Sequence, residues 1–172
     1  LRLKDYDGKH CYGKVDGCYF NTNAKNKIYF VGDSHAASIA DNLKDEILKY
    51  DNQFIFFHSI FFPGFDLIDN KTNKIDDLNS NDQISIIKNL LIEEKDSTVI
   101  FLMRYPLYLS KKFFNNLEGG REPTTEFKYK FRPTGEFKNI IESFQKSVLE
   151  IANNNRVILV YPIPEAGWWV PN

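Results

Sequence analysis

Four short apolar runs alternate along the chain with longer stretches in which apolar residues return every third or fourth position. The runs, at 27–31, 53–59, 98–103 and 156–161, have few polar interruptions and predict strands buried on both faces. The stretches between them predict helices at 36–50, 82–94 and 135–153. Ala36, Ile39, Leu43 and Ile47 line one face of the first, and Ile84, Ile87 and Leu91 one face of the second. Phe137, Ile140, Ile141, Phe144, Val148 and Ile151 form a stripe on the third, read as core packing. Residues 1–26 carry Gly8, Gly13, Gly17 and several Asn, and read as an irregular lead-in. Residues 61–82, with Pro63, Gly64 and many Asn and Asp, read as a long loop with room for a short helical turn. Residues 110–133 read as a polar insertion around Gly119 and Gly120, of a length that suits a lid or a substrate wall.

Strand, helix, strand, helix, strand, helix, strand is the order of an α/β protein: three layers, with a mostly parallel sheet between helices. In such folds function gathers at the carboxyl ends of the strands. Ser34, the Pro63-Gly64 pair, Arg104 and the run from Pro162 to Glu165 follow the four strands, so this topology brings them to one edge. The sequence holds no internal repeat, no P-loop and no GxGxxG, so no loop built to cradle phosphates is visible.

The 172 residues suit one domain with a sizeable core, here a lead-in at 1–26 and an α/β unit at 27–172. A 42% hydrophobic and 26% charged composition is that of a globular chain. A net charge of -1 gives no basic field to attract nucleic acid. The longest apolar stretch, 54–62, is broken by His58 and Ser59 and falls short of the roughly 18 residues a membrane span needs. The chain opens on Leu1 and stops just after Trp168, Trp169, Val170 and Pro171, so it is expected to be part of a longer protein, cut at both ends. Cys11 and Cys18, near Gly13 and Gly17, can close a small disulfide loop or stay as free thiols. A metal site would want more ligands than these two and His10. A disulfide would place the chain in the periplasm or outside the cell.

Gly32-Asp33-Ser34-His35 sits where the first strand passes into the first helix. That junction sets a hydroxyl beside free backbone N–H groups and the positive end of the helix dipole, where developing negative charge is favoured. A serine there can also simply cap the helix. Continued by Ala36, the string resembles the first signature block of the SGNH/GDSL hydrolases. More narrowly, the chain resembles the SGNH domains fused behind membrane-embedded acyltransferase-3 domains in bacterial sugar O-acyltransferases. The paired cysteines ahead of the first strand fit that group. So do 99–105, a strand ending in Arg104 and Tyr105, and 160–165, the exit Val-Tyr-Pro-Ile-Pro-Glu.

The resemblance implies a flavodoxin-like SGNH hydrolase fold with Ser34 as nucleophile, its own N–H facing the oxyanion. It implies Gly64 near a second N–H donor, and Arg104 where the superfamily has an Asn. Arg104 there can stabilise an oxyanion or hold an anionic sugar, or instead pair with Asp33 or Glu165. Asp33, His35 and Glu165 are expected as structural support. The superfamily draws its base from an Asp-x-x-His near the carboxyl end, and none follows Pro162, so this stretch alone is expected to be catalytically crippled. His58 reads as a core histidine, His35 as pointing away from its neighbour Ser34, and His10 has no assigned role. Trp168 and Trp169 suit sugar stacking or burial.

The activity implied is serine-dependent acyl transfer, as O-acetyltransferase or esterase, on a cell-envelope carbohydrate such as lipopolysaccharide. Neither metal nor cofactor would be needed. The acyl donor would arrive through an N-terminal membrane acyltransferase domain, and the site would lie on the periplasmic or extracellular face. Two other readings stand beside it: a catalytically inactive SGNH-like domain that binds glycan or a partner, and a flavodoxin-like binding domain with a chance Gly-Asp-Ser-His.

Overall fold

The computed structural model describes residues 3–12, 14, 16–58, 64–69, 80–110, 129–133 and 136–161. In chain order its elements are β1 (Cys18–Phe20), β2 (Lys27–Gly32), α1 (Ser34–Leu48), β3 (Gln53–His58), β4 (Phe65–Asp69), α2 (Ser80–Glu93), β5 (Thr98–Leu102), α3 (Tyr105–Ser110), β6 (Tyr129–Pro133), α4 (Ile140–Ala152) and β7 (Arg156–Val160). Five strands form one sheet in the order β1-β3-β2-β5-β7. β3, β2, β5 and β7 run parallel, and β1 closes the β3 side antiparallel. The carboxyl ends of the four parallel strands therefore share one edge.

Strand alternation divides the core in two. Tyr29, Val31, Ile55, Phe57 and Phe101 face α2 and α4 and meet Ile84, Ile87, Leu91 and Ile151. Phe30, Phe54 and Phe56 face the other way and meet Ala36 and Ala40 of α1, with Leu3, Cys11 and Cys18. All six residues of β3 are buried, which is why its sequence, Gln-Phe-Ile-Phe-Phe-His, shows no polar alternation.

The lead-in is not irregular throughout. β1 pairs with Phe54 to Phe56 and covers backbone groups that an open β3 edge would leave unpaired. A disulfide joins Cys11 and Cys18 across a Cα–Cα distance of 5.7 Å. The two expected loops also hold structure: β4 and β6 pair antiparallel, with Arg132 donating to Asp66 at 2.7 Å across the ladder. Five-residue strands 60 or more positions apart leave almost no local signal, since their partners are set by the tertiary fold.

Two helix faces are rotated from expectation. On α4 the buried residues are Ser143, Ser147 and Ile151, while Ile141 is half-exposed and Phe137 precedes the helix. The small serines let α4 approach Gly64 closely, and the Ser143 hydroxyl donates to the Gly64 carbonyl. On α1 the inward residues are Ala36, Ala40 and Ile47, with Ile39 turned toward solvent. Alanine brings α1 close enough to β2 for the turn between them to be tight.

Candidate active site

That turn is assembled by three consecutive residues with three different tasks. Gly32 ends β2 where β5 and α1 converge: a Cβ there would overlap the Leu102 carbonyl oxygen and stand 2.6 Å from Ala36 Cβ. Asp33 is the N-cap of α1, with extended backbone and a carboxylate that accepts from the His35 N–H at 2.9 Å. Ser34 is the first helical residue, and its side chain lies on the exposed surface. The cap is thus Asp33, and the serine hydroxyl is not required for that purpose. The backbone N–H of Ser34, in the first turn, has no acceptor within the helix and is available to an anion.

Asp33 also fixes the neighbouring strand exit. It is 5% exposed, and its second oxygen accepts from the Arg104 N–H at 3.0 Å and the Tyr108 hydroxyl at 2.8 Å. The link to Arg104 runs through the backbone amide and leaves the guanidinium out of it. Met103 and Arg104 lead from β5 into α3, so one carboxylate locks the ends of β2 and β5 and the start of two helices. Both of its oxygens are engaged by N–H and O–H donors, none of them an imidazole ring. Asp33 thus braces the turn, and among the described residues no imidazole ring donates to it.

Sequence reasoning missed Tyr108. Its only signal is spacing: it stands four residues after Arg104 and three after Tyr105, a helical interval in a segment too short to show periodicity. Tyr105 donates its hydroxyl to the Phe101 carbonyl at 3.0 Å. Burial, reinforced by the Asp33 charge, pushes the Tyr105 phenol well above its usual range, so it stays a proton donor at neutral pH.

Gly64 lies on the α4 side of the sheet. Its φ of +100° and the close approach of the Ser143 backbone both call for glycine. α3 touches both neighbourhoods: Tyr108 donates to Asp33, and the Tyr105 ring meets Phe144 at 6.0 Å, one residue beyond Ser143. His58 is buried at the carboxyl end of β3, opposite Gly32 in the parallel register, with the Tyr12 ring stacked on it at 3.8 Å. It is closer to the serine turn than a generic core histidine would be. His35 is partly buried, and its Nδ1 has no hydrogen-bond partner among the described residues. Pro63, the 162–165 exit with Glu165, the Trp168-Trp169 pair and the Gly119-Gly120 insertion lie outside the described residues.

Among the described residues no group of His, Cys, Asp and Glu could hold a metal ion, and no helix is long and apolar enough to cross a membrane. Searches of curated proteins and of solved structures returned no match. A family profile described as the SGNH domain (fused to AT3 domains) matches residues 4–171, from the lead-in through the last strand. The exposed serine at the head of α1, the acidic brace beneath it and the parallel sheet that presents them are thus parts of one assigned whole: the chain belongs to the SGNH domain family fused to acyltransferase-3 domains.

Proposed function

We propose that this domain carries out serine-dependent acyl transfer on a cell-envelope carbohydrate, with Ser34 as nucleophile. The observation that carries the reading is the division of labour at the turn: Asp33 caps α1, and the Ser34 hydroxyl is left exposed at the helix amino end. A base takes the proton as Ser34 Oγ attacks the acyl carbonyl. The Ser34 N–H and helix dipole then stabilise the oxyanion, with Gly64 the candidate second N–H donor and Arg104 a cationic flank. Collapse expels the donor's leaving group and leaves an acyl-serine ester. A sugar hydroxyl, or water in an esterase, attacks that ester and frees Ser34. The reaction needs no metal and no bound cofactor.

Family membership supports a membrane acyltransferase-3 module as the partner that delivers the acyl group. That partner and the Cys11–Cys18 disulfide favour the periplasmic or extracellular face. The base must come from a group other than an Asp33-held histidine, since Asp33 is committed to His35 N–H, Arg104 N–H and Tyr108. Arg104, standing where the superfamily has an Asn, favours a second reading, a glycan-binding SGNH-like domain without catalysis. Ser34→Ala in the full-length gene product separates the two. Acyl transfer falling by about three orders of magnitude or more, with unchanged unfolding, is the expected result. Transfer at the wild-type rate would remove Ser34 from the mechanism.

A further inference from the structure

We propose that Tyr12 is a platform for the pyranose ring of the acyl acceptor, a subsite on the rim next to Ser34. The proposal rests on the carbohydrate reading above and adds to it the residue that would recognise the sugar. Tyr12 lies inside the loop closed by the Cys11–Cys18 disulfide. It forms a parallel bridge with His58, and its ring stacks on the imidazole at 3.8 Å and 30°. His58 in turn lies opposite Gly32 in the β2–β3 register. Tyr12, His58 and Gly32 therefore form one row across three neighbouring backbones, which sets Tyr12 ~10 Å from Gly32 at ordinary strand spacing. Ser34 begins two residues beyond Gly32.

A second observation ties Tyr12 to the helix that carries the serine. Tyr12 and Ala37 line one small apolar cleft together with Leu3, Cys11 and Phe56. Ala37 is three residues after Ser34, a neighbour on the same side of α1. Tyr12 thus borders the first turn of α1, within the reach of a sugar whose hydroxyl is at Ser34. Tyr12 nevertheless remains 55% exposed. A ring held by an imidazole stack and a disulfide loop loses little freedom on binding, which is what a stacking platform requires. The apolar C–H face of a pyranose matches that ring.

The test is saturation-transfer NMR on the whole chain with methyl glycosides of glucose, galactose and rhamnose as probes and glycerol as an acyclic control. Saturation should reach the ring protons of at least one glycoside and not glycerol. Tyr12→Ala should weaken that binding about tenfold, equivalent to a stacking contact of ~1.4 kcal/mol, and Tyr12→Trp should preserve it. Tyr12→Leu keeps apolar cover over His58 and should lose binding to the same degree, so a misfolded alanine variant does not end the test. The proposal is overturned when the wild-type chain saturates no glycoside, or when the leucine variant binds like the wild type. Because binding is read without turnover, failure of the nucleophile reading remains separate: sugar binding that depends on Tyr12 alongside a dispensable Ser34 sinks only the latter.

Discussion

The two edges of the sheet each hold a carboxylate, and they use it differently. At the amino edge Glu94 takes Lys27 at 2.9 Å through both oxygens and the Tyr29 hydroxyl at 2.5 Å. Nearby, the Asn155 amide donates to the carbonyls of Leu91, Glu94 and Ile151 and accepts from the Ser97 N–H, tying the last turns of α2 and α4 to the start of β5. Polar groups there satisfy one another. At the carboxyl edge Asp33 is as fully engaged, but its donors are backbone amides and one buried phenol, and the side chain beside it, Ser34, faces solvent. One edge closes the structure, and the other holds the proposed nucleophile in a fixed place. Rigidity is common to both, and exposure of the neighbouring hydroxyl distinguishes the edge at which we propose the chemistry.

Gly32→Ala should produce the largest effect on stability, about 3 kcal/mol or more, because the new methyl meets the Leu102 carbonyl and Ala36 where two strands and a helix are fixed by their ladders. Urea unfolding would measure it. A variant within 1 kcal/mol of wild type would mean that the carboxyl edge is softer than the hydrogen bonds of Asp33 imply. Asn155→Ala comes next, at about 2–3 kcal/mol, since three carbonyls at helix ends and one N–H each lose a hydrogen bond. It should leave acyl transfer per folded molecule unchanged. A parallel loss of activity would show that the two edges are coupled.

The smallest effect sharpens the comparison through pH. Burial acts to raise the Glu94 pKa, but the Tyr29 hydroxyl and Lys27 outweigh it and hold the carboxyl below its usual range. With the folded value below the unfolded one, the contribution of Glu94 is present at neutral pH and is lost as pH falls through the folded value. Glu94→Gln should cost about 1 kcal/mol near pH 7 and progressively less in acid. Unfolding curves at several pH values would check it, and a deficit that does not shrink below the carboxylate range would remove the ionic account of this edge.

Much of this was legible in the chain because it is local. Uniform apolar runs, such as Phe-Ile-Phe-Phe in β3, mark strands covered on both sides, and alternation with helical stripes fixes a parallel α/β sheet. Gly32 to Ser34 could be found because a strand-to-helix turn is a contiguous feature, although the tasks of Gly32 and Asp33 also depend on Leu102, Arg104 and Tyr108 far along the chain. What failed was whatever depended on partners far along the chain. The pairing of β4 with β6, the rotation of α4 that buries Ser143 and Ser147, and the edge strand β1 are choices among alternatives that local propensity leaves nearly equal.

The sequence by itself therefore determined the four parallel strands and the order of the three long helices between them, the family and the serine's place at a helix start, since each is encoded in adjacent residues or their period. Only the tertiary structure decided what surrounds that serine. Tyr108 reaches Asp33 across 75 positions and Arg104 across 71, and Tyr12 reaches His58 from another loop. Such contacts leave no periodic trace in sequence, because they are fixed by which strand ends the fold brings side by side.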